Sequence, residues 1–242
     1  MRLRCSHPDN DLLIDTSVLI LYAWAPGQPA AVLSGWENNL KAREKILESA
    51  DTLFGKYGFD ATTTREIAEH SSVNKALIHY HFKTKDALLE SVLDRYYAKL
   101  AVTFAAAAGH GGSLTEKMAR LIDTYVDFLV DNRNFCRIIQ REASGGKHVD
   151  LVRQRTLPFF QMGLQWVNQA FPESAKGDLA ATHLLISFYG MIITYFTYSG
   201  VLEQLLGEDP FTPENLTARK KHLRRMLIMI VAELDTHASH HE

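Results

Sequence analysis

Cysteine is scarce: Cys5 and Cys136 stand far apart, with no C-x-x-C between them. That argues against a disulfide framework or a zinc site and fits a reducing compartment. An excess of one charge is missing too. The 26 Lys and Arg residues nearly balance 28 Asp and Glu, for a formal net charge of −2, which excludes polyanion binding through bulk charge. Apolar alternation with period two is nowhere sustained, so strands are not expected. There is no G-x-S-x-G, H-E-x-x-H, P-loop or dinucleotide fingerprint, and no carboxylate pair suited to acid–base work. Enzyme chemistry and a cofactor are therefore not expected. Internal repeats and low-complexity tracts are absent as well.

What is present is a 242-residue chain, 46% hydrophobic, long enough to bury a proper core in one large or two modest domains. Its apolar residues recur at helical spacing throughout, which predicts an all-α protein. The first 36 residues fit least well. Arg2 and Arg4 precede the apolar run DLLIDTSVLILYAWAPG, a loose imitation of a signal peptide that Asp9, Asp11 and Asp15 interrupt. A disordered arm or a non-native start remain the alternatives for residues 1–36, and no Met lies between Met1 and Met118. Pro26, Gly27 and Pro29 read as a linker, with folded sequence beginning near Trp36.

The organising stretch runs from Thr62 to Leu89. Thr63 and Glu66 form a capping box for a short helix whose inward face is Ile67 and Ala68. Ser71 and Ser72 stop it, and Asn74 caps a second short helix with Val73, Leu77, Ile78 and Phe82 as its apolar set. Helices of about two turns do not survive alone in water, so neighbours must hold them. A preceding helix from about Asn38 or Asn39 to Lys56, with Ile46, Leu47, Ala50, Leu53 and Phe54 inward, is expected to stop at Gly58. Thr84 caps a following helix that carries Leu88, Leu89, Val92, Leu93 and Tyr96 towards Ala108, where Gly109, Gly111 and Gly112 break it.

The strings T-T-x-R-E-I-A and V-N-K-A-L-I-H-Y-H-F-K-T-K-D-A-L-L resemble the DNA-binding domain of TetR-family transcriptional regulators, of the TetR/AcrR helix-turn-helix type. The likeness covers roughly Leu40 to Leu93, and it is specific because many residue types and spacings agree at once. It implies an N-terminal three-helix DNA-binding domain, 37–108 with its linker helix, and a C-terminal helical ligand-binding and dimerisation domain, 113–236, before a tail at 237–242. By family position Arg65, Lys75 and Ala76 face base edges, and Arg or Lys suits the two-acceptor edge of guanine. Tyr80 can add a stacking or methyl contact. Thr63, Thr64, His79 and Lys85 take positions that hold phosphates, beside the cap Asn74. Leu77 replaces a frequent hydroxyl residue, and either meets a thymine methyl or packs. His79 replaces a frequent Tyr and would hold phosphate better when protonated. His81 should face the core with Phe82. His70, His79, His81 and the terminal HASHHE lack complete ligand spacing, so no metal is expected.

From Ser113 helical patterning resumes. Ser113 and Glu116 make a second capping box, followed by a face of Leu114, Met118, Leu121, Ile122, Tyr125, Phe128 and Leu129. Helices are expected at Asn134–Ala143, at Asp150–Phe171 with a kink at Pro158, at Ala175–Leu206 and from Pro213 to about Asp235. Leu179 to Leu202 holds no Lys, Arg, Asp or Glu. Its diluted apolarity favours burial over a membrane span, and no membrane partner is expected. Tyr125, Phe128, Phe159, Trp166 and Phe188 can wall a pocket for a small-molecule effector, with Gln161, Gln165, His183 and Thr194 as polar anchors. Cys136 lies near Arg133, Arg137 and Arg141, which suits either a thiolate sensor or a buried inert thiol.

The function so implied is a cytoplasmic, nucleoid-associated regulator. Its homodimer, paired through the last two helices, binds double-stranded palindromic operator DNA and is released by a small apolar or amphipathic ligand. The rival is a DNA-tethered interaction or architectural protein with the same reading head and no ligand.

Overall fold

A computed structural model describes residues 30–239 of the chain. Two compact units divide it, Met1–Lys45 and Ile46–Glu242. Of the first, the described part is the leading stretch of α1 (Ala30–Tyr57). The expectations of a signal-like start and a Pro/Gly linker, and the arm up to residue 29, fall on residues outside the described ones, as do the last three residues of the tail; 30–36 and 237–239 are helical. The helix begins earlier than Asn38 or Asn39, at Ala30.

The second unit continues with α2 (Thr64–Ser71), α3 (Lys75–Phe82), α4 (Lys85–Gly109), α5 (Leu114–Asp131), α6 (Arg133–Ala143), α7 (Val149–Ala170), α8 (Ala181–Thr197), α9 (Ser199–Leu206) and α10 (Pro213–Ser239). No strand occurs among the described residues. The architecture is all-α, with an N-terminal helix-turn-helix. A single hydrophobic cluster runs from Ile46 to Leu227, so reading head and helical body share one core. A smaller cluster of Val167, Phe171, Ala181 and Leu234 closes the far end.

The first three helices pack through the residues the pattern selects. Phe54, Ile67, Leu88 and Leu89 are almost fully buried, with Ile78 and Phe82 from α3 against them. Gly58 adopts φ +90° and returns its N–H to the Phe54 carbonyl at 2.9 Å, closing α1. This is a conformation that glycine takes without steric cost. α4 then carries the core from Leu88 and Leu93 in the head to Tyr97 and Leu100 in the body.

One expected element is wrong. The single helix Ala175–Leu206 is instead a 3-10 turn Pro172–Ala175, a loop with Gly177 at φ +84°, and α8 and α9, bent by 77° at Tyr198. The Thr197 hydroxyl bonds back to the Ile193 carbonyl at 2.8 Å, an arrangement that bends helices, and Ser199 and Gly200 are poor at continuing one. The break divides the uncharged run. Among the described residues no single helix is long and apolar enough to cross a membrane; only the bent pair α8–α9 passes by composition. Pro158 does not end α7, which continues on both sides of it.

Candidate nucleic-acid interface and effector cavity

Local hydrogen bonds fix the reading head. The Thr63 hydroxyl accepts from the Glu66 amide at 3.2 Å, and the Glu66 carboxylate accepts from the Thr63 amide at 2.7 Å and from its hydroxyl at 2.8 Å. These bonds hold the Glu66 carboxyl below its usual range, the backbone amide contributing most. Ser72 takes the left-handed conformation (φ 55°) and its N–H closes on Ala68 and Glu69. Asn74 then accepts the Ala76 amide at 2.9 Å and starts α3. Thr62, 1% exposed, donates to the Gly58 carbonyl at 2.8 Å and the Leu53 carbonyl at 3.3 Å, tying the entry of α2 to the end of α1.

α3 divides cleanly. Ile78 and Phe82 are buried, Leu77 is half-buried against the core, and Lys75, Ala76, His79 and Tyr80 are exposed. Leu77 therefore packs. Arg65 is 82% exposed and meets Glu69 at 2.9 Å one turn on, which raises its pKa. An ion pair so open to water contributes little, and the guanidinium can exchange it for a base edge at small cost. His79 Nδ1 lies 2.7 Å from the Lys83 carbonyl. A carbonyl only accepts, so Nδ1 carries the proton, and only the imidazolium can also donate from Nε2 to a phosphate.

Two expected phosphate holders have other partners. The amide and hydroxyl protons of Thr63 both go to Glu66. Lys85 sends its ammonium to the Phe59 and Thr62 carbonyls at 2.9 and 2.8 Å and lies 4.1 Å over the Phe59 ring, leaving one N–H donor. Thr64 is half-exposed at the start of α2. Lys83, exposed beside Tyr80, ends α3 at φ 61° and folds its ammonium onto the Tyr80 carbonyl and ring. Among the described residues no group of three or more His, Cys, Asp or Glu could hold a metal ion; His70 bonds Ser49 at 3.0 Å and His79 the Lys83 carbonyl at 2.7 Å.

The body holds a cavity of about 190 Å³ between α4, α5, α6, α7, α8 and α10. Tyr125, Phe159, Trp166, Phe188 and Tyr189 line it, joined by Tyr97, Phe104, Ile139 and Thr156, which sequence reasoning had not assigned to it. Phe128, Gln165 and His183 do not line it. Phe128 is buried in the core against Phe135, while Gln165 and His183, like Gln161 and Thr194, are exposed. The cause is helical phase. On α7 the wall is Phe159, Phe160, Gly163, Trp166 and Val167, a stripe that turns Gln161 and Gln165 outward. Polarity inside comes from hydroxyls instead: Tyr97 and Thr156 share a bond of 2.6 Å. Burial raises the Tyr97 and Tyr189 phenols to about 12, so the wall is uncharged. Cys136 is buried on the same wall, and desolvation pushes its thiol up to about 11 in spite of Arg137. That is the reverse of a thiolate sensor.

Head and body meet at a polar joint. Asp51 accepts from the Tyr96 hydroxyl at 2.5 Å and from Asn134 at 3.0 Å. Buried His148 lies between Glu142 at 2.8 Å and Asp86 at 3.0 Å, its ring 4.3 Å from Phe59. Lys147 also bonds Asp86, and these contacts hold the Asp86 carboxyl down at about 2.

A short helix pinned at both ends, its polar face outward, on an all-α body with an apolar cavity, defines a DNA-binding regulator of the helix-turn-helix type. The family model for bacterial regulatory proteins of the tetR family matches residues 46–92. A Bacillus subtilis (strain 168) protein described as "Probable HTH-type transcriptional regulator YttP" is 33% identical over 183 residues, 72% of this chain and 86% of its own. The HTH-type transcriptional repressor Rv3405c of Mycobacterium tuberculosis (strain ATCC 25618 / H37Rv) is 28% identical over 171 residues, 71% of this chain and 80% of its own. The structure of AibR in complex with isovaleryl coenzyme A and operator DNA superposes with a TM-score of 0.63 at 16% identity, covering 76% of this chain and 97% of that one. The chain belongs to the tetR family of bacterial regulatory proteins, and is a DNA-binding transcriptional regulator.

Proposed function

We propose that this regulator is a repressor whose homodimer binds a palindromic operator and lets go when a small apolar or amphipathic ligand enters the cavity. The observation that carries the reading is that a rigidly capped α3 and an uncharged, largely apolar cavity are built on one continuous core. Ligand acts only through its different affinity for the DNA-competent and released conformers. Lys75, Ala76 and Arg65 read base edges, with Tyr80 beside them; Thr64, His79 and the remaining donor of Lys85 hold phosphates. Dimerisation through the last helices draws support from Ile186, Val201, Leu205, Ile228 and Met229, which α8, α9 and α10 leave exposed. Pairing there sets the two α3 helices about one DNA turn, ~34 Å, apart. A complex with isovaleryl coenzyme A is known for AibR, a protein of the same fold. The site of action is the cytoplasm.

The test is selection of bound sequences from random duplex DNA at fixed salt. An inverted repeat is expected, whereas weak, salt-sensitive and sequence-blind binding would favour an architectural role. On the selected site Lys75→Ala should cost about 1–3 kcal/mol and leave random-sequence binding nearly unchanged. Equal losses on both DNAs would remove Lys75 as a base reader.

A further inference from the structure

Beside the cavity lies a second cleft, of about 430 Å³, lined by Arg133, Arg137, Arg141, Gln140, Ser144 and Phe211 among others. The three arginines stand at i, i+4 and i+8 along one face of α6, and no Asp or Glu lines the cleft. Like charges one turn apart are mutually destabilising on a helix. Elsewhere Arg65, Arg153, Arg155 and Arg224 each pair with a carboxylate; among the described residues these three do not. The Arg133 guanidinium stacks 4.0 Å from the Phe211 ring. Arg141 is spread over the carbonyls of Phe54, Gly55 and Lys56 at 3.2, 3.2 and 3.3 Å, the open end of α1. Cys136 walls both the cleft and the cavity.

The cavity by itself, about 190 Å³, falls below the roughly 300–1,000 Å³ that holds a whole drug-sized ligand. A larger ligand must therefore extend beyond it, and the cleft adjoins it at Cys136. We propose that the effector is an amphiphile with an anionic head: its apolar part fills the cavity, and its carboxylate or phosphate lies on Arg133, Arg137 and Arg141, where it competes with the α1 carbonyls for Arg141. The inference rests on reading the cavity as the effector site.

A carboxylate or phosphate takes guanidinium through two parallel charge-assisted bonds, each shorter and stronger than a bond to a neutral carbonyl. The long contacts that Arg141 makes to α1 are therefore the ones that give way. Their loss leaves orphan carbonyls at the end of α1. Thr62 bonds the Gly58 carbonyl just beyond and so hands the disturbance to α2. An anion at the cleft thus reaches the reading head through one side chain.

The test is calorimetric titration of the full chain with octanol, octanoate and octanoyl coenzyme A, using wild type, Arg137→Gln and Gly163→Leu. Arg137 is exposed and makes none of the α1 contacts, so its loss leaves the fold alone. A side chain at Gly163 grows into the cavity, its Cβ starting 3.0 Å from Leu185. At least one anionic probe should bind roughly tenfold tighter than octanol, and Arg137→Gln should erase that preference while octanol binding stays. Octanoate as the favoured probe identifies a carboxylate head; the thioester alone identifies a phosphate head. Hydrogen exchange should quicken over residues 55–62 with the anionic probe and not with octanol. Equal affinity for all three probes, or an Arg137→Gln variant that keeps the preference, overturns the inference. Unchanged exchange overturns the Arg141 link. The cavity reading survives those results if Gly163→Leu still blocks octanol, and falls if it does not. A chain that binds no probe overturns both.

Discussion

The reading head and the helical body are built from the same element but terminated in different ways. In the head, Thr63, Asn74 and Thr84 each place a side-chain oxygen on an amide of the helix that follows. In the body, α6, α7, α8 and α9 begin with no side-chain cap at all; α5, with its Ser113–Glu116 box, and α10, with Thr212 on the Asn215 amide, are the exceptions. A capped end is a local event that a few consecutive residues specify. An uncapped end is set by what the helix packs against, and nearby sequence says little about it. The difference suits the work of each part: a reader needs one fixed geometry, whereas a body that must host a ligand needs walls that can adjust.

The largest effect expected to test this contrast comes from aromatic truncation. Phe82→Ala, 4% exposed beneath α3, should cost about 3–5 kcal/mol in urea unfolding. Phe159→Ala, half-buried on the cavity wall, should cost clearly less and enlarge the ligand space. Equal losses would mean that the cavity wall is packed as tightly as the head.

Next comes thiol chemistry on the body side. With its pKa raised from 9.0 to about 11 by burial, Cys136 in a Cys5→Ser background should react with a disulfide reagent roughly a hundredfold more slowly than a free thiol below pH 9. Fast labelling would restore the sensor reading.

The two capping boxes allow a matched pair. Thr63→Ala and Ser113→Ala should each cost about 1 kcal/mol of stability. Only the first should also weaken operator binding, because α2 has eight residues and α5 eighteen, and the shorter helix has less else to hold it. A shared loss of DNA binding would show that the body holds the head less independently than its caps suggest.

The smallest effect sits at the joint. Contacts from Lys147 and then His148 lower the Asp86 pKa from 3.8 to about 2. A depressed carboxyl adds stability that is whole above about pH 4 and disappears as pH falls towards 2. Its side chain is 46% exposed, so screening keeps the contribution modest. Asp86→Asn should lower Tm slightly at neutral pH and lose less of it between pH 4 and 2 than wild type. Parallel acid profiles would remove Asp86 as a link between head and body.

Much of the head was legible in the chain. Thr63 with Glu66, Asn74, Thr84, Gly58 and the buried set Ile67, Ile78 and Phe82 all stand where spacing placed them. Thr62 was not singled out, because a hydroxyl bonded across nine residues to Leu53 has no local signature. In the body, Ser113–Glu116 and Thr212 were legible for the same reason as the head caps. The run 175–206 was not: from Leu179 to Leu202 it carries no charge, and periodicity cannot locate a bend within a segment that is apolar on most sides.

By itself, then, the sequence determined that the protein is all-helical, where its capped helices begin, and which residues of α3 face outward, since helical period and short-range hydrogen bonds are written in neighbouring residues. Only the tertiary structure decided that Gln165 and His183 leave the cavity while Tyr97 and Thr156 enter it, that the thiol of Cys136 is silenced by burial, and that Arg141 reaches back to the end of α1. Those facts depend on the phase and approach of helices separated by tens of residues, and that is fixed by packing rather than by any local pattern.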